Sequence, residues 1–336
     1  MKVLPPPEAA MNEAMAHSPR RLLILSIFSL LLAAFWLELH SLPLAHMLSG
    51  PLAPAFAGFA LLLAPLWFFA FGAGSHLQAL LHTSLSRIAA PALLVIPYLL
   101  YALPMHEFEW RFAVALSLMP VALSAILEFA PKDQKLLWQD AIVLLALALT
   151  LELRLFSGAW PHPGLGSLPK LYLCDVALYL YLVVRGIQGA GYSFRPSVEA
   201  FRIGAREWLY FLPFAFGLGF ALHFISFHPR THSAAHIAAG VLVTFLLTAV
   251  PEELFFRGLL QNLLEPHLGR IRALAVASML FGLSHFHKGA AFNWRYVIIA
   301  AVAGVFYGRA WRARRQLLAS SITHTMVDVV WSLWFK

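Results

Sequence analysis

The chain has 336 residues, of which 60% are hydrophobic and only 12% charged, and its formal net charge is +8. A soluble domain of this length could not bury so much apolar surface, so the composition excludes a water-soluble globular protein and points to an all-α, polytopic helical bundle in a membrane. No basic patch lies on a soluble fold, which excludes a nucleic-acid-binding protein and assigns the positive charge to membrane topology and contact with the lipid bilayer.

Taken in chain order, apolar runs long enough to cross the hydrocarbon core are predicted near 22–40, 55–74, 88–105, 111–130, 136–153, 171–187, 207–227, 234–256, 272–287, 295–311 and 316–335, about eleven spans in all. The first, in SPRRLLILSIFSLLLAAF, has the basic and apolar regions of a signal sequence. Its apolar part is too long and no small-x-small cleavage site follows, so it reads as an uncleaved span. Up to about residue 170 the spans offer little chemistry. Glu38, His40, Glu109, Glu128, Asp140 and Glu152 stand within a turn or two of predicted helix ends, where a polar head reaches the interface at small cost. The link SGAWPHPGLGSLPK, 157–170, is rich in Gly and Pro and reads as irregular. The charged segment 185–208 is expected to carry a short surface helix around 196–206. This divides the chain into N-terminal membrane helices over 1–170, with no assigned role, and a second unit over 171–336. Cys174, the only cysteine, has no disulfide partner within the chain and reads as a small buried side chain. Asp175 and His223 are isolated polar groups that a neighbouring helix can satisfy.

The basic residues between spans alternate in density. Lys2, Arg20, Arg87, Lys132, Arg185, Arg206, Arg270, Arg312 and others fall on one side, whereas Arg111, Arg154, Lys170, Arg230, Lys288, Arg295 and Lys336 fall on the other. The positive-inside bias then predicts a cytoplasmic N-terminus in a multi-pass membrane protein, with the C-terminus outside. The helix of His324 enters from the basic side, which predicts a cytoplasm-facing cavity.

The last third differs because its ionisable residues come in spaced groups, and an ionisable side chain inside a span marks a functional site by default. In PEELFFRG, Glu253 and Arg257 are four apart on a helix and can pair. Glu252 is then a carboxylate rotated about 100° away with no local partner, suited to act as a general base. Pro251 removes a backbone hydrogen bond and is expected to kink the helix beside a cavity. Two further groups follow, Phe281 with His285 and His324 with Asp328, each one turn apart. At about 1.5 Å per residue, Glu252 and His285 both lie roughly 18–20 Å from the turn at 264–270, and His324 roughly 13 Å deep on a third helix. The three groups are therefore expected to converge.

Glu252-Glu253-x-x-x-Arg257, Phe281-x-x-x-His285 and His324-x-x-x-Asp328, in that order, resemble the motifs of the CPBP family of intramembrane proteases, also called the Abi family, whose best-known members are the Rce-type CAAX prenyl endopeptidases. The resemblance covers 251–328 and extends toward 171. It implies an intramembrane endopeptidase acting on a membrane-anchored or prenylated protein or peptide, with Glu252 activating a water that His285 holds or polarises. It implies that Glu253 and Arg257 support the site and that His324 with Asp328 stabilises the tetrahedral intermediate. Asp328 cannot donate to an oxyanion unless protonated, so orienting His324 is its other role. No cofactor is expected; the alternative is a zinc ion held by Glu252, His285 and His324 with an open position for water. Two readings compete with catalysis: a non-catalytic membrane protein of the same fold that binds partners, and a proton-coupled transporter using Glu252, His285 and His324 as a relay. A sortase-like transpeptidase would need Cys174 beside an Arg and a His, which its surroundings in the sequence do not supply.

Overall fold

A computed structural model describes residues 19–41, 52–229, 231–289 and 292–335. Lys2, Arg230 and Lys336 lie outside the described residues, as do the side chains of Arg20, Glu38 and His40. The described chain is all-helical. Helix α1 is Pro19–Ser41, α2 Leu52–Phe69, α3 Ala73–Leu80, α4 Ser84–Ala102, α5 Trp110–Glu128, α6 Trp138–Glu152, α7 168–184, α8 Val198–Ala221, α9 234–268, α10 270–283, α11 Trp294–Arg314 and α12 Leu317–Trp334. Every expected span falls on one of these helices. Leu52–Phe69, Ser84–Ala102, Trp110–Glu128 and the 234–283 region are long and apolar enough to cross a membrane on those grounds alone.

Local chemistry sets the breaks. Ser197 caps α8 by accepting the amide of Ala200 at 3.1 Å. From that cap the chain is helical without interruption to Ala221, so the expected surface helix at 196–206 and the span after it are one helix, with Pro213 inside it. Gly269 separates α9 from α10 with φ 72°, a left-handed conformation that only glycine adopts without strain. The link 157–170 contains short turns at Ser157–Ala159 and Pro163–Leu165, in keeping with its Gly and Pro content.

Pro251 acts differently from the expected kink. The backbone takes wide, i to i+5 turns over Phe245–Ala249 and again over Leu254–Gln261, with one α-helical turn, Val250–Glu253, between them. Proline cannot donate its i to i−4 hydrogen bond, and the helix absorbs that loss by widening, a feature that concentrates at functional sites.

One apolar core runs from Phe35 on α1 through α2, α4, α5, α6 and α7 to Leu254, Trp311 and Leu317, so it is continuous across residue 170. A second cluster, including Phe211, Phe256, Phe281, Phe306 and Tyr307, fills the space among α8, α9, α10 and α11. Helix α10 packs on α11, and α8 packs on both α11 and α12. The bundle thus has two ends. One gathers the 84–87, 128–137, 184–198, 262–272 and 309–317 regions, tied together by the Leu136 amide donating to Leu263 O and by Lys132 Nζ donating to Val184 O. The other gathers 102–110, 152–170, 222–233 and 284–296; there His228 N donates to Trp334 O at 2.8 Å.

Glu128 and Asp140 are buried in ion pairs and do not reach the interface that their positions near helix ends predict. Glu128 takes both Nε and Nη2 of Arg87, and Glu109 pairs with Arg111 at 2.6 Å. Asp140 is wholly buried and accepts from Arg185 Nε at 3.1 Å, from Arg185 Nη2 at 3.2 Å and from the Leu137 amide at 3.0 Å. Asp175 and Cys174 are buried on α7.

Candidate active site

Three helices bring the expected residues together. Helix α9 carries Glu252, Glu253 and Arg257, the end of α10 carries Phe281 and the turn after it His285, and α12 carries His324 and Asp328. Glu253 and Arg257 are both fully buried and pair with Oε2 to Nε at 3.3 Å, as their spacing predicts. The guanidinium is held further by Arg257 Nη2 donating to Gly304 O at 3.0 Å and by ring faces, its central carbon lying 4.6 Å from the Phe281 centroid and 5.4 Å from that of Tyr307. Gly304 permits that approach, since a Cβ there would sit 3.1 Å from Ser278 Cα and 3.3 Å from Arg257 Nη2.

His324 lies between carboxylates. Its Nδ1 is 3.0 Å from Glu253 Oε1, and its Nε2 is 3.4 Å from Asp328 Oδ2 and 3.8 Å from Glu252 Oε2. The ring stacks on Tyr307 at 4.6 Å with 17° between planes, which fixes its orientation. His285 turns its Nδ1 to Phe281 O at 2.9 Å, and its ring packs 4.8 Å from Phe281 and 4.6 Å from Tyr296.

Two lysines that fall between the predicted spans complete the cluster. Lys170, in the first turn of α7, places Nζ 2.9 Å from Glu252 Oε1. Lys288, in the turn after α10, places Nζ 3.5 Å from the same oxygen and 3.1 Å from His285 Nε2. Lys288 carried a signal, since it follows His285 by three residues on an apolar helix end. Lys170 carried none, because it lies 82 residues before its partner. Glu252 therefore divides its oxygens: Oε1 meets two ammonium groups, while Oε2 is buried, without a hydrogen-bond donor among the described residues, and faces His324.

The same lysines bear on a metal. Among the described residues no three His, Cys, Asp or Glu side chains converge as a ligand set. Lys288 covers the Nε2 of His285 and both lysines cover Glu252 Oε1, so donor atoms that zinc would need face cations. The residues as placed do not fit zinc.

A cavity of about 80 Å³ adjoins the cluster and includes His285, Tyr296, His324 and Asp328 in its wall. From there it follows the second half of α12 past Trp331 to Phe335 and meets Phe224 and Ile225. It thus leads toward the end that carries Lys170, Lys288 and Arg295, opposite the arginine-rich end from which α12 starts. The cavity lies along the second half of α12, away from the end where that helix starts.

Residues 234–330 match the family model described as Type II CAAX prenyl endopeptidase Rce1-like. The match contains all three residue groups of the cluster. No curated protein and no solved structure matches the chain.

Proposed function

We propose, from the match of residues 234–330 to the Rce1-like type II CAAX prenyl endopeptidase model, that this multi-pass membrane protein is an intramembrane endopeptidase in which Glu252 activates the hydrolytic water. The observation that carries the reading is the division of the Glu252 carboxylate. Lys170 and Lys288 hold Oε1, which fixes the group, and Oε2 stays open toward His324. Oε2 takes a proton from water as the water oxygen forms its bond to the scissile carbonyl carbon. The carbonyl becomes an oxyanion, and the same proton passes to the amide nitrogen as the C–N bond breaks.

The donor for the oxyanion comes from Lys288, since Glu253 and Asp328 face the two ring nitrogens of His324. Asp328 is an acceptor 3.4 Å from His324 Nε2, which suits it to orienting that ring. Glu253 holds the other side of the ring, and Arg257 holds Glu253, so the second carboxylate and the arginine serve position. The substrate is a membrane-associated protein or peptide, including a prenylated one. With the arginine-rich end inward, the cavity receives a tail presented at the outer face. In a Cys174→Ala background, Ile225→Cys on the cavity side should react with a membrane-impermeant maleimide in intact cells and Arg195→Cys should not; the reverse pattern would place the cavity inside.

The decisive experiment compares wild type with Glu252→Gln on a panel of membrane-tethered peptides, prenylated and not, with and without a strong chelator. Cleavage by wild type alone, indifferent to chelator, supports the glutamate mechanism. Chelator sensitivity reversed by zinc would replace it with a metallopeptidase. Equal cleavage by both proteins would remove Glu252 as the base, and the absence of cleavage on every peptide would favour a partner-binding role.

A further inference from the structure

The arginine-rich end of the bundle holds a second cavity, of about 470 Å³, between α8, the α9–α10 junction and α11. Arg206 and Glu207 line it from α8, Glu265 and Arg270 from the junction, and Arg309, Arg312 and Arg315 from α11 and its C-cap. Two carboxylates answer three of the arginines. Glu207, almost wholly buried, pairs with Arg206 at 2.8 Å and with Arg309 at 3.0 Å, and Glu265 pairs with Arg315, whose other nitrogen donates to Asn262 Oδ1 at 2.7 Å. Arg270 and Arg312 have no carboxylate partner among the described residues, and Arg312 Nη1 donates to Arg270 O at 3.2 Å, which holds the pair together. The cavity is therefore a preformed cationic basin, fixed by its own ion pairs, with charge left over for an anion.

We propose that this cavity is a binding site for the phosphodiester headgroup of an anionic phospholipid. Phosphate chemistry fits because guanidinium groups match its oxygens with paired donors. A lipid source is favoured by what lies below the basin. Tyr210 and Phe214 follow Arg206 at one-turn intervals on α8 and are half exposed, Arg309 lies over the Tyr210 and Phe306 rings, and Phe214 packs on Phe306 at 5.5 Å. The headgroup basin thus continues into an exposed aromatic strip that an acyl chain would cover. The location also agrees, since this end collects most basic residues and faces the anionic leaflet under the positive-inside rule. The site is separate from the glutamate cluster and stands whether or not the protease reading does.

The test uses the full chain in detergent micelles, with native mass spectrometry and thermal unfolding as readouts. Wild type should retain phosphatidylglycerol over phosphatidylcholine and gain thermal stability from it. Arg270→Gln/Arg312→Gln, which leaves every ion pair of the basin intact, should bind phosphatidylglycerol more weakly by about fivefold for each arginine removed. Arg202→Gln, at the same end but outside the cavity, should bind as wild type does. Unfolding in phosphatidylcholine alone checks that the double variant is folded, and wild-type lipid selection decides the matter if it is not. Equal stabilisation by inorganic phosphate, with displacement of the lipid, would overturn the lipid as occupant. Equal binding of both lipids by wild type, undiminished binding by the double variant, or an equal loss in Arg202→Gln would overturn the site.

Discussion

Two buried acidic centres in this membrane protein differ in one respect. At Asp140, both carboxylate oxygens are taken, by Arg185 and by the Leu137 amide, and the Tyr181 hydroxyl donates to the Asp140 carbonyl. At Glu252, one oxygen meets two lysines and the other meets no donor among the described residues. Both centres are expensive to bury. The first closes on itself and locks α6 to α7, whereas the second keeps a lone pair directed at a histidine beside a cavity. Burial of charge alone therefore does not mark chemistry; what separates the two centres is a carboxylate oxygen without a donor among the described residues, next to a histidine that lines a cavity.

The contrast can be broken in three places. The largest effect is expected at Glu252: its conversion to Gln keeps the shape and should lower cleavage by about 10³-fold, within the range for a general base, while the unfolding midpoint stays close to wild type. Asp140→Ala should show the opposite pattern. Leaving Arg185 buried and unpaired costs about 3–5 kcal/mol of stability, read as a lower unfolding midpoint, with cleavage per folded molecule unchanged. A selective loss of activity in Asp140→Ala would erase the distinction. The smallest and sharpest effect is expected at Lys288. Lys288→Met should lower kcat by about 100-fold, the order seen when one oxyanion donor is removed, with KM nearly constant and partial recovery in Lys288→Arg. A change in KM alone would assign Lys288 to substrate binding.

How much was legible in advance follows the range of the interactions. Hydropathy located the helices because a membrane span must satisfy its backbone internally and show lipid an apolar surface, constraints that act on consecutive residues. The Glu253–Arg257 pair was legible for a similar reason, being one turn apart. The depth of Glu252, His285 and His324 followed from helix rise, so their meeting was legible too. The path of α8 was misread, since nothing in 196–208 distinguishes a surface helix from the first turns of a longer one.

What the sequence determined by itself is the membrane class, the helical architecture and three groups of residues whose order and spacing resemble one protease family. The tertiary structure decided which oxygen of Glu252 lacks a donor, that Lys170 reaches the other oxygen from 82 residues away, which end of the bundle the cavity follows and which arginines around the second basin have no carboxylate partner among the described residues. The physical reason is that periodicity records which face of a helix a residue occupies, while ion pairing and cavities depend on which helices become neighbours. That choice is made by packing between distant segments.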